Sequence, residues 1–448
     1  MSALKKSFRE LLRYPSAILG MAIILFLLGV SVYALATIPY SEAIRLWRGG
    51  EEVWYQNPKY APPAWFNYFS NKKKPVSFAV RTTDGSMTKT TTPSSDPNIS
   101  TVDITYAFDY AYDDVPQELM IYFTSQYEEK FTFASVSWIT PDGRTIRIAD
   151  MAVEHTQNFR FSQDQKLQKR LKTDHVMQAL FVDPESSTQK PLKGQYQLVI
   201  SGTAFEKDAS IDAEFVLHGE LFGAAGTDKY RRDLLLPLLY GTPIALAFGL
   251  LAALGTSLLT MVIAATGTWY GGWLDELIQR VTEVNLVLPF LAILIMVGTF
   301  YSRSIWLMLG VTILLSIFSG SIKTYRSIFM QSKESSYIEA ARAYGASSSR
   351  IIFSYLIPRM VPLLIPALVS SIPSFVFLEA SLAVLGLGDP VLPTWGKVIN
   401  DAFYDGALYQ GRYYWVLEPA ILLMITGFGF ALLGFALDRI FNPRLRDI

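Results

Sequence analysis

Six long apolar stretches decide what this chain can fold into. They lie near 17–38, 243–267, 284–302, 304–322, 361–387 and 417–437, each long enough for a helix to cross a hydrocarbon core of roughly 30 Å. Backbone polar groups inside a bilayer find no water, so such stretches must satisfy their hydrogen bonds internally, as helices. Charged residues make up only 17% of the chain, against about 25% in ordinary soluble domains. The first stretch follows Lys5, Lys6, Arg9 and Arg13. Its apolar run is longer than that of a signal peptide and is expected to remain as an anchor.

Six crossings put both ends of the chain on one side, and the distribution of basic residues says which. With the N-terminus inside, the short cytoplasmic segments hold Lys5, Lys6, Arg9, Arg13, Arg280, Lys323, Arg326, Lys333, Arg342, Arg350, Arg359, Arg439, Arg444 and Arg446. The opposite short loops hold only Arg303, Lys397 and Arg412. Both termini are therefore expected in the cytoplasm. Lys229, Arg231 and Arg232 go against the rule, at the end of a long translocated segment where the rule is weak.

That long segment, 41–226, has a different character. Short runs at Val76–Val80, Val102–Tyr106, Leu119–Thr124, Phe131–Ile139, Tyr196–Ile200 and Ala213–Leu217 are rich in β-branched and aromatic residues between turn signals, the pattern of an antiparallel sandwich. Pro141-Asp142-Gly143 between two such runs predicts a hairpin, since Gly supplies the positive φ of a tight turn. Thr82–Ser100 reads as a loop and Gln163–Ala179 as a short amphipathic helix. Parity places this insert outside the cytoplasm. Asn98-Ile99-Ser100 is a formal glycosylation triplet of a kind that often arises by chance. The expected fold class is an α-helical polytopic membrane protein of six transmembrane helices with an inserted β-rich, sandwich-like extracytoplasmic domain. Its divisions are 1–40 (N-terminus and first helix), 41–226 (insert) and 227–448 (helices two to six, with a cytoplasmic loop at 323–360).

The loop between the fourth and fifth stretches carries SSYIEAARAYGASSSRIIFSYLIP from Ser335 to Pro358. Ser336 and Glu339 have the spacing of a capping box, and Gly345 stands where a left-handed cap would end the helix. Tyr337, Ile338, Ala341 and Tyr344 are expected on one face, too apolar for a free loop. From the residues alone this is either a helix lying on the bilayer or one that docks in a partner groove.

Glu339-Ala340-Ala341, Gly345 and Ile357-Pro358 resemble the EAA loop of ABC importer permeases. Three further segments resemble the dipeptide, oligopeptide and nickel importer permeases of the second-subunit type: Gly226-Thr227-Asp228 through Leu238-Leu239-Tyr240-Gly241; Trp269-Tyr270-Gly271-Gly272-Trp273-Leu274-Asp275-Glu276; and Glu379-Ala380-Ser381-Leu382, followed by Leu385-Gly386-Leu387-Gly388 and Pro393-Thr394-Trp395-Gly396. Asn442-Pro443-Arg444-Leu445-Arg446 also fits. Departures are Arg231 where the family usually has Gly, Leu236-Pro237 in place of Ser-Arg, and Pro243 in place of Arg. The resemblance covers about 1–40 and 222–448 and leaves the insert aside. It implies a type I ABC importer permease fold and a coupling helix in which Glu339, Ala340, Ala341 and Gly345 engage a cytoplasmic ATPase. The implied partners are a homologous permease subunit forming a heterodimer, two ATPase subunits and an extracytoplasmic substrate-binding protein. ATP and Mg are held by the ATPases, with no cofactor or metal in this chain.

Catalytic patterns are missing from the sequence. No Gly-rich stretch ends in Gly-Lys-Ser/Thr, no HExxH or GxSxG occurs, and His155, His175 and His218 are far apart. Zero cysteines remove thiolate chemistry, and a net charge of zero without a basic block gives no sign of a nucleic-acid partner. Glu379, deep in an apolar run, must meet a partner or the aqueous pathway, so it serves either helix packing or substrate contact. Asn285, Glu283, Thr312, Ser316, Ser370, Ser371 and Ser374 are further polar residues in apolar runs, and Pro289, Pro362, Pro366 and Pro373 imply kinks. The expected function is a permease subunit for peptides or similar oligomeric solutes, not an enzyme. A membrane-anchored receptor or scaffold presenting the β-rich domain is the alternative. The insert is read as a docking surface for the binding protein or a lid. The aromatic patch around Trp54, Tyr55, Tyr60, Trp65, Phe66, Tyr68 and Phe69 is read alternatively as lying at the membrane interface.

Overall fold

A computed structural model describes residues 11, 13–94, 96, 98–183 and 190–441. Lys5, Lys6, Arg9 and the 442–446 motif lie outside the described residues. The chain divides into a helical unit, Met1–Arg48 with Leu236–Ile448, and a β unit, Gly49–Leu235.

In the β unit, alternation of side chains across each strand builds two antiparallel sheets. One has the order β1 (Phe78–Arg81), β9 (Ser210–His218), β4 (Glu118–Gln126), β7 (Thr156–Arg160). The other runs β2 (Thr88–Pro93), β3 (Ser100–Tyr110), β8 (Gly194–Ala204), β5 (Thr132–Ile139), β6 (Thr145–Val153). On β5, Ala134, Val136 and Trp138 are buried while Phe133, Ser135 and Ser137 face away, the period of two that a half-buried strand requires. They meet Val102, Ile104, Ile121, Phe123, Leu198, Ile200 and Phe215 in one continuous core. Each such large side chain contributes about 1.5–3 kcal/mol on burial.

The expected hairpin is present, with Ile139 opposite Thr145 and Gly143 at φ +82°. Two local expectations are corrected. Thr82–Ser100 contains strand β2, whose β-branched threonines pair with β3 from Thr88↔Thr105 to Pro93↔Ser100. The helix expected over Gln163–Ala179 is two helices, Gln165–Leu171 and Val176–Phe181, parted by Lys172 at φ +55°.

Residues 227–235 belong to the β unit through side chains. Thr227 Oγ1 donates to Pro58 O (2.8 Å) and accepts from Ala61 N (3.0 Å). Asp228 and Arg232 form a buried ion pair at 2.6 Å, so Arg232, one of the basic residues at odds with the charge rule, is already neutralised.

Among the described residues, four helices are individually long and apolar enough to cross a membrane: Pro15–Thr37, Leu235–Tyr270, Ser348–Leu387 and Tyr414–Phe441. The stretches expected as single spans at 284–302 and 304–322 are instead bent pairs. Gly272–Val287 meets Phe290–Phe300 at 80°, and Ile305–Ile317 meets Gly320–Lys333 at 48°. Pro289 accounts for the first break, since it lacks an N–H and drives Leu288 to extended backbone (ψ 136°). Small residues let the helices approach closely. A Cβ on Gly20 would stand 2.8 Å from Gly429 O, and one on Gly249 would stand 2.5 Å from Val376 Cγ2. Leu27, Ala245, Ala253, Ile372, Val376, Leu423 and Phe430 fill the space between four helices.

Candidate functional site

The loop helix runs from Ser336 to Ala343. The capping box expected from Ser336 and Glu339 does not form. The helix opens one residue earlier, with Ser335 as its N-cap and no side-chain cap, and the amides of Ile338 and Glu339 donate to Ser335 O at 2.9 and 3.3 Å. Ser336 is already helical, so it cannot take the extended backbone an N-cap needs. The C-terminus follows the expectation: Gly345 has φ +77°, its N–H donates to Arg342 O (2.9 Å), and Ala346 N–H donates to Ala341 O (3.0 Å). This paired closure absorbs two carbonyls that would otherwise be orphaned.

The expected apolar face divides. Ile338 is buried with Met261, Ala264, Phe329, Ile351 and Leu356, and Ala341 is buried as well. Tyr337 is half-buried beneath the Arg359 guanidinium, 5.1 Å from its ring centre. Tyr344 points away and is 92% exposed. Of the four residues singled out from the sequence, Ala341 anchors the helix, while Glu339, Ala340 and Gly345 are on its open side.

Residues not singled out from the sequence tie this loop to the end of helix Leu235–Tyr270. Lys333 Nζ donates to the carbonyls of Thr268 and Trp269, both at 3.0 Å, where a helix C-terminus is electronegative. The Arg342 guanidinium lies 4.4 Å over the Trp269 ring, a cation–π contact. Beyond the Gly271-Gly272 turn, where both φ values are positive, Asp275 accepts two bonds from Arg326 Nε at 2.8 and 2.9 Å and one from its Nη2.

A cavity of about 420 Å³ opens beside the two helix breaks, lined by Thr256, Ser257, Thr260, Asn285, Ser316 and Ser371 among others. Asn285 Nδ2 donates to Leu315 O and Phe318 O, each at 2.8 Å, and Thr260 Oγ1 donates to Ile317 O at 3.0 Å. Carbonyls freed by the second break are thus satisfied by side chains from two other helices, as irregular backbone in a membrane requires. Thr312, expected to share a face with Ser316, is fully buried.

The family-like motifs, distant in sequence, meet one another. Trp395 Nε1 donates to Leu238 O at 2.9 Å, and a Cβ on Gly241 would stand 2.5 Å from Trp395 Cδ1. A Cβ on Gly396 would stand 2.7 Å from both Cα and O of Ala380. Glu379 is buried next to Ala380, against which Gly396 packs, which fits the packing role.

The model of the family "binding-protein-dependent transport system inner membrane component" matches residues 256–447. A putative peptide transport system permease of Brucella suis is 30% identical over 224 residues, 49% of this chain and 73% of that protein. The chain belongs to this family. The dipeptide transport system permease DppC of Bacillus subtilis is 28% identical over 222 residues, 49% of this chain and 68% of the relative. The glutathione transport system permease GsiD of Pectobacterium atrosepticum is 29% identical over 225 residues, 50% and 73%. The relatives are transport permeases, and this family member is likewise a multi-pass membrane protein of the ABC transporter class. The loop helix and the broken helices both lie within the matched region.

Proposed function

We propose that this chain forms half of a translocation pathway for peptides or similar oligomeric solutes, in a heterodimer with a homologous permease. In this reading each bent pair is one span, giving six spans with both termini in the cytoplasm and 41–226 outside it. The loop 323–360 couples to two ATPase subunits, which hold ATP and Mg, through Glu339, Ala340, Ala341 and Gly345. A substrate-binding protein delivers cargo from outside. This chain binds no nucleotide and works by alternating access, in which each conformation is favoured by different contacts in the ATP-bound and ATP-free states.

The observation that carries the coupling role is the build of the loop helix. Its inner side is fixed to the core through Ile338, with Ala341 buried beside it on the helix, and its base is clamped to Trp269 by Lys333 and Arg342. Meanwhile Glu339, Ala340 and Tyr344 are exposed. A force on the exposed side is transmitted to helix Leu235–Tyr270, which lines the cavity. A receptor held by an anchor has no use for such a linkage or for two broken spans. The test is co-purification of the ATPases with the double variant Glu339→Lys, Gly345→Pro. The reading expects ATPase binding and uptake both to fall; if both stay intact, the coupling role is lost.

A further inference from the structure

We infer that the β unit carries its own contact with the bilayer: the 64–74 segment inserts aromatic rings among the headgroups of an anionic lipid surface. This goes beyond the transport role and holds whichever face of the membrane the unit occupies.

The short helix Ala64–Tyr68 has no buried residue. Trp65 and Phe66 are 42% and 36% exposed, and Tyr68 and Phe69 reach 85% and 84%. Three of the rings form one group, with Trp65 centred 4.7 Å from Phe66 and 6.2 Å from Phe69, and Tyr68 stands open to water within the same five residues. Four exposed aromatic side chains in so short a segment are unusual on a soluble surface and mark a contact.

The patch is rigid. Trp65 Nε1 donates to Ala224 O at 3.0 Å and Ala64 N to Gly223 O at 2.9 Å. Asn67 closes the following turn, donating to Lys74 O and accepting from Lys74 N, both at 2.9 Å. A patch already ordered loses little conformational freedom on binding.

Charge identifies the occupant. Lys72, Lys73 and Lys74 follow the rings directly. Lys74 pairs with Glu220 at 2.6 Å, and Asp113 pairs with Lys193 at 2.7 Å. Lys72 is exposed and has no acidic partner among the described residues, and Lys73 Nζ donates only to the carbonyl of Asn67. Asp113 also accepts from Lys73 N at 2.8 Å, so the ammonium groups of Lys72 and Lys73 are the ones left facing outward. Rings with amphipathic edges beside these lysines match the headgroup layer of an anionic bilayer, where Trp and Tyr concentrate and Lys is attracted to the surface charge. A protein partner would need an acidic, aromatic-binding face, and nothing in the chain specifies one. Apolar helices flank the β unit on both sides in the chain, Pro15–Thr37 and Leu235–Tyr270, so the patch meets lipid at high effective concentration.

Because the chain has no cysteine, Tyr68→Cys in the full-length protein gives a single label site. With a polarity-sensitive fluorophore there, in nanodiscs containing phosphatidylglycerol and lipids spin-labelled near the headgroup, we expect quenching about three-fold stronger than at Thr92→Cys, a site on an exposed strand, and weak quenching by aqueous iodide. Adding Lys72→Glu lowers the lipid quenching in anionic discs and leaves it unchanged in discs of phosphatidylcholine alone. Equal iodide quenching at both sites overturns the inference, as does protection of position 68 only on adding a soluble binding protein. Melting of each labelled variant at the unlabelled temperature shows that the fold is retained.

Discussion

Asn285 donates its carboxamide N–H to Phe318 O across the gap between two broken helices, at 2.8 Å, and its second N–H to Leu315 O at the same distance. Donor capacity is what the bend needs, so the variants rank by chemistry. Asn285→Ala leaves two acceptors unpaired, each costing about 1–3 kcal/mol. Asn285→Asp does worse, because an ionised carboxylate only accepts and would face carbonyl oxygens. Thermal melts in detergent and ATP-driven uptake in proteoliposomes should both order native above Ala above Asp. Asp equal to native would remove the pin.

Gly241 lies against Trp395 without room for a methyl group. Gly241→Ala should destabilise by about 1–3 kcal/mol, and Gly241→Val by more. Trp395→Ala removes the ring atoms in the way while giving up the bond to Leu238 O, so the pair Gly241→Ala, Trp395→Ala should recover part of the loss caused by Gly241→Ala. A double-mutant cycle read by denaturant unfolding checks this; strict additivity would show that the contact carries no energy.

Arg231 has φ +66°, a left-handed conformation that costs a non-glycine residue about 1–2 kcal/mol. Here Arg231 Nη1 donates to Asn57 O (2.6 Å) and Asn57 Nδ2 donates back to Arg231 O (3.0 Å), which offsets the strain. Arg231→Ala and Arg231→Gly both lose the side-chain bond, but only Ala keeps the strain. Gly should therefore be the more stable of the two by about 1 kcal/mol, measured from unfolding midpoints.

His218 is buried at the end of β9, with Nε2 3.1 Å from Tyr55 O. Burial, assisted by the nearby positive Arg231, pushes its pKa down to about 4 from 6.5. The unfolded chain therefore takes up a proton that the folded chain refuses. Stability from this group is complete above pH 6.5 and is lost as pH falls toward 4, by an amount on the order of 3 kcal/mol. His218→Gln should flatten the stability profile between those values. An unchanged slope would mean that other groups dominate.

The sequence announced what local chemistry encodes. Gly345 had to end a helix, Pro141-Asp142-Gly143 had to turn, and the alternation in Phe131–Ile139 had to face a core. Strand β2 was hidden because its threonines are polar, and only the partner strand shows that they pair. The break at Pro289 was legible as a kink. The one at Phe318 was not, although Ser319-Gly320 stands beside it, because the donors that stabilise it, Asn285 and Thr260, come from elsewhere in the chain. Ser336 misled because the helix takes the extended Ser335 as its N-cap, one residue earlier and without a side-chain bond. The clamp of Lys333 and Arg342 on Trp269 depends on tertiary proximity, which spacing alone does not reveal.

Tyr344, at the exposed end of the loop helix, gives the most direct test of coupling. With Tyr344→Cys in this cysteine-free chain, and a cysteine placed in the cleft of the co-expressed ATPase subunit, a short bifunctional reagent should join the two and nucleotide should change the yield. Thr92→Cys in the β unit should give no product. Crosslinking at neither site, or equally at both, would contradict the claim that this loop couples the permease to its ATPase.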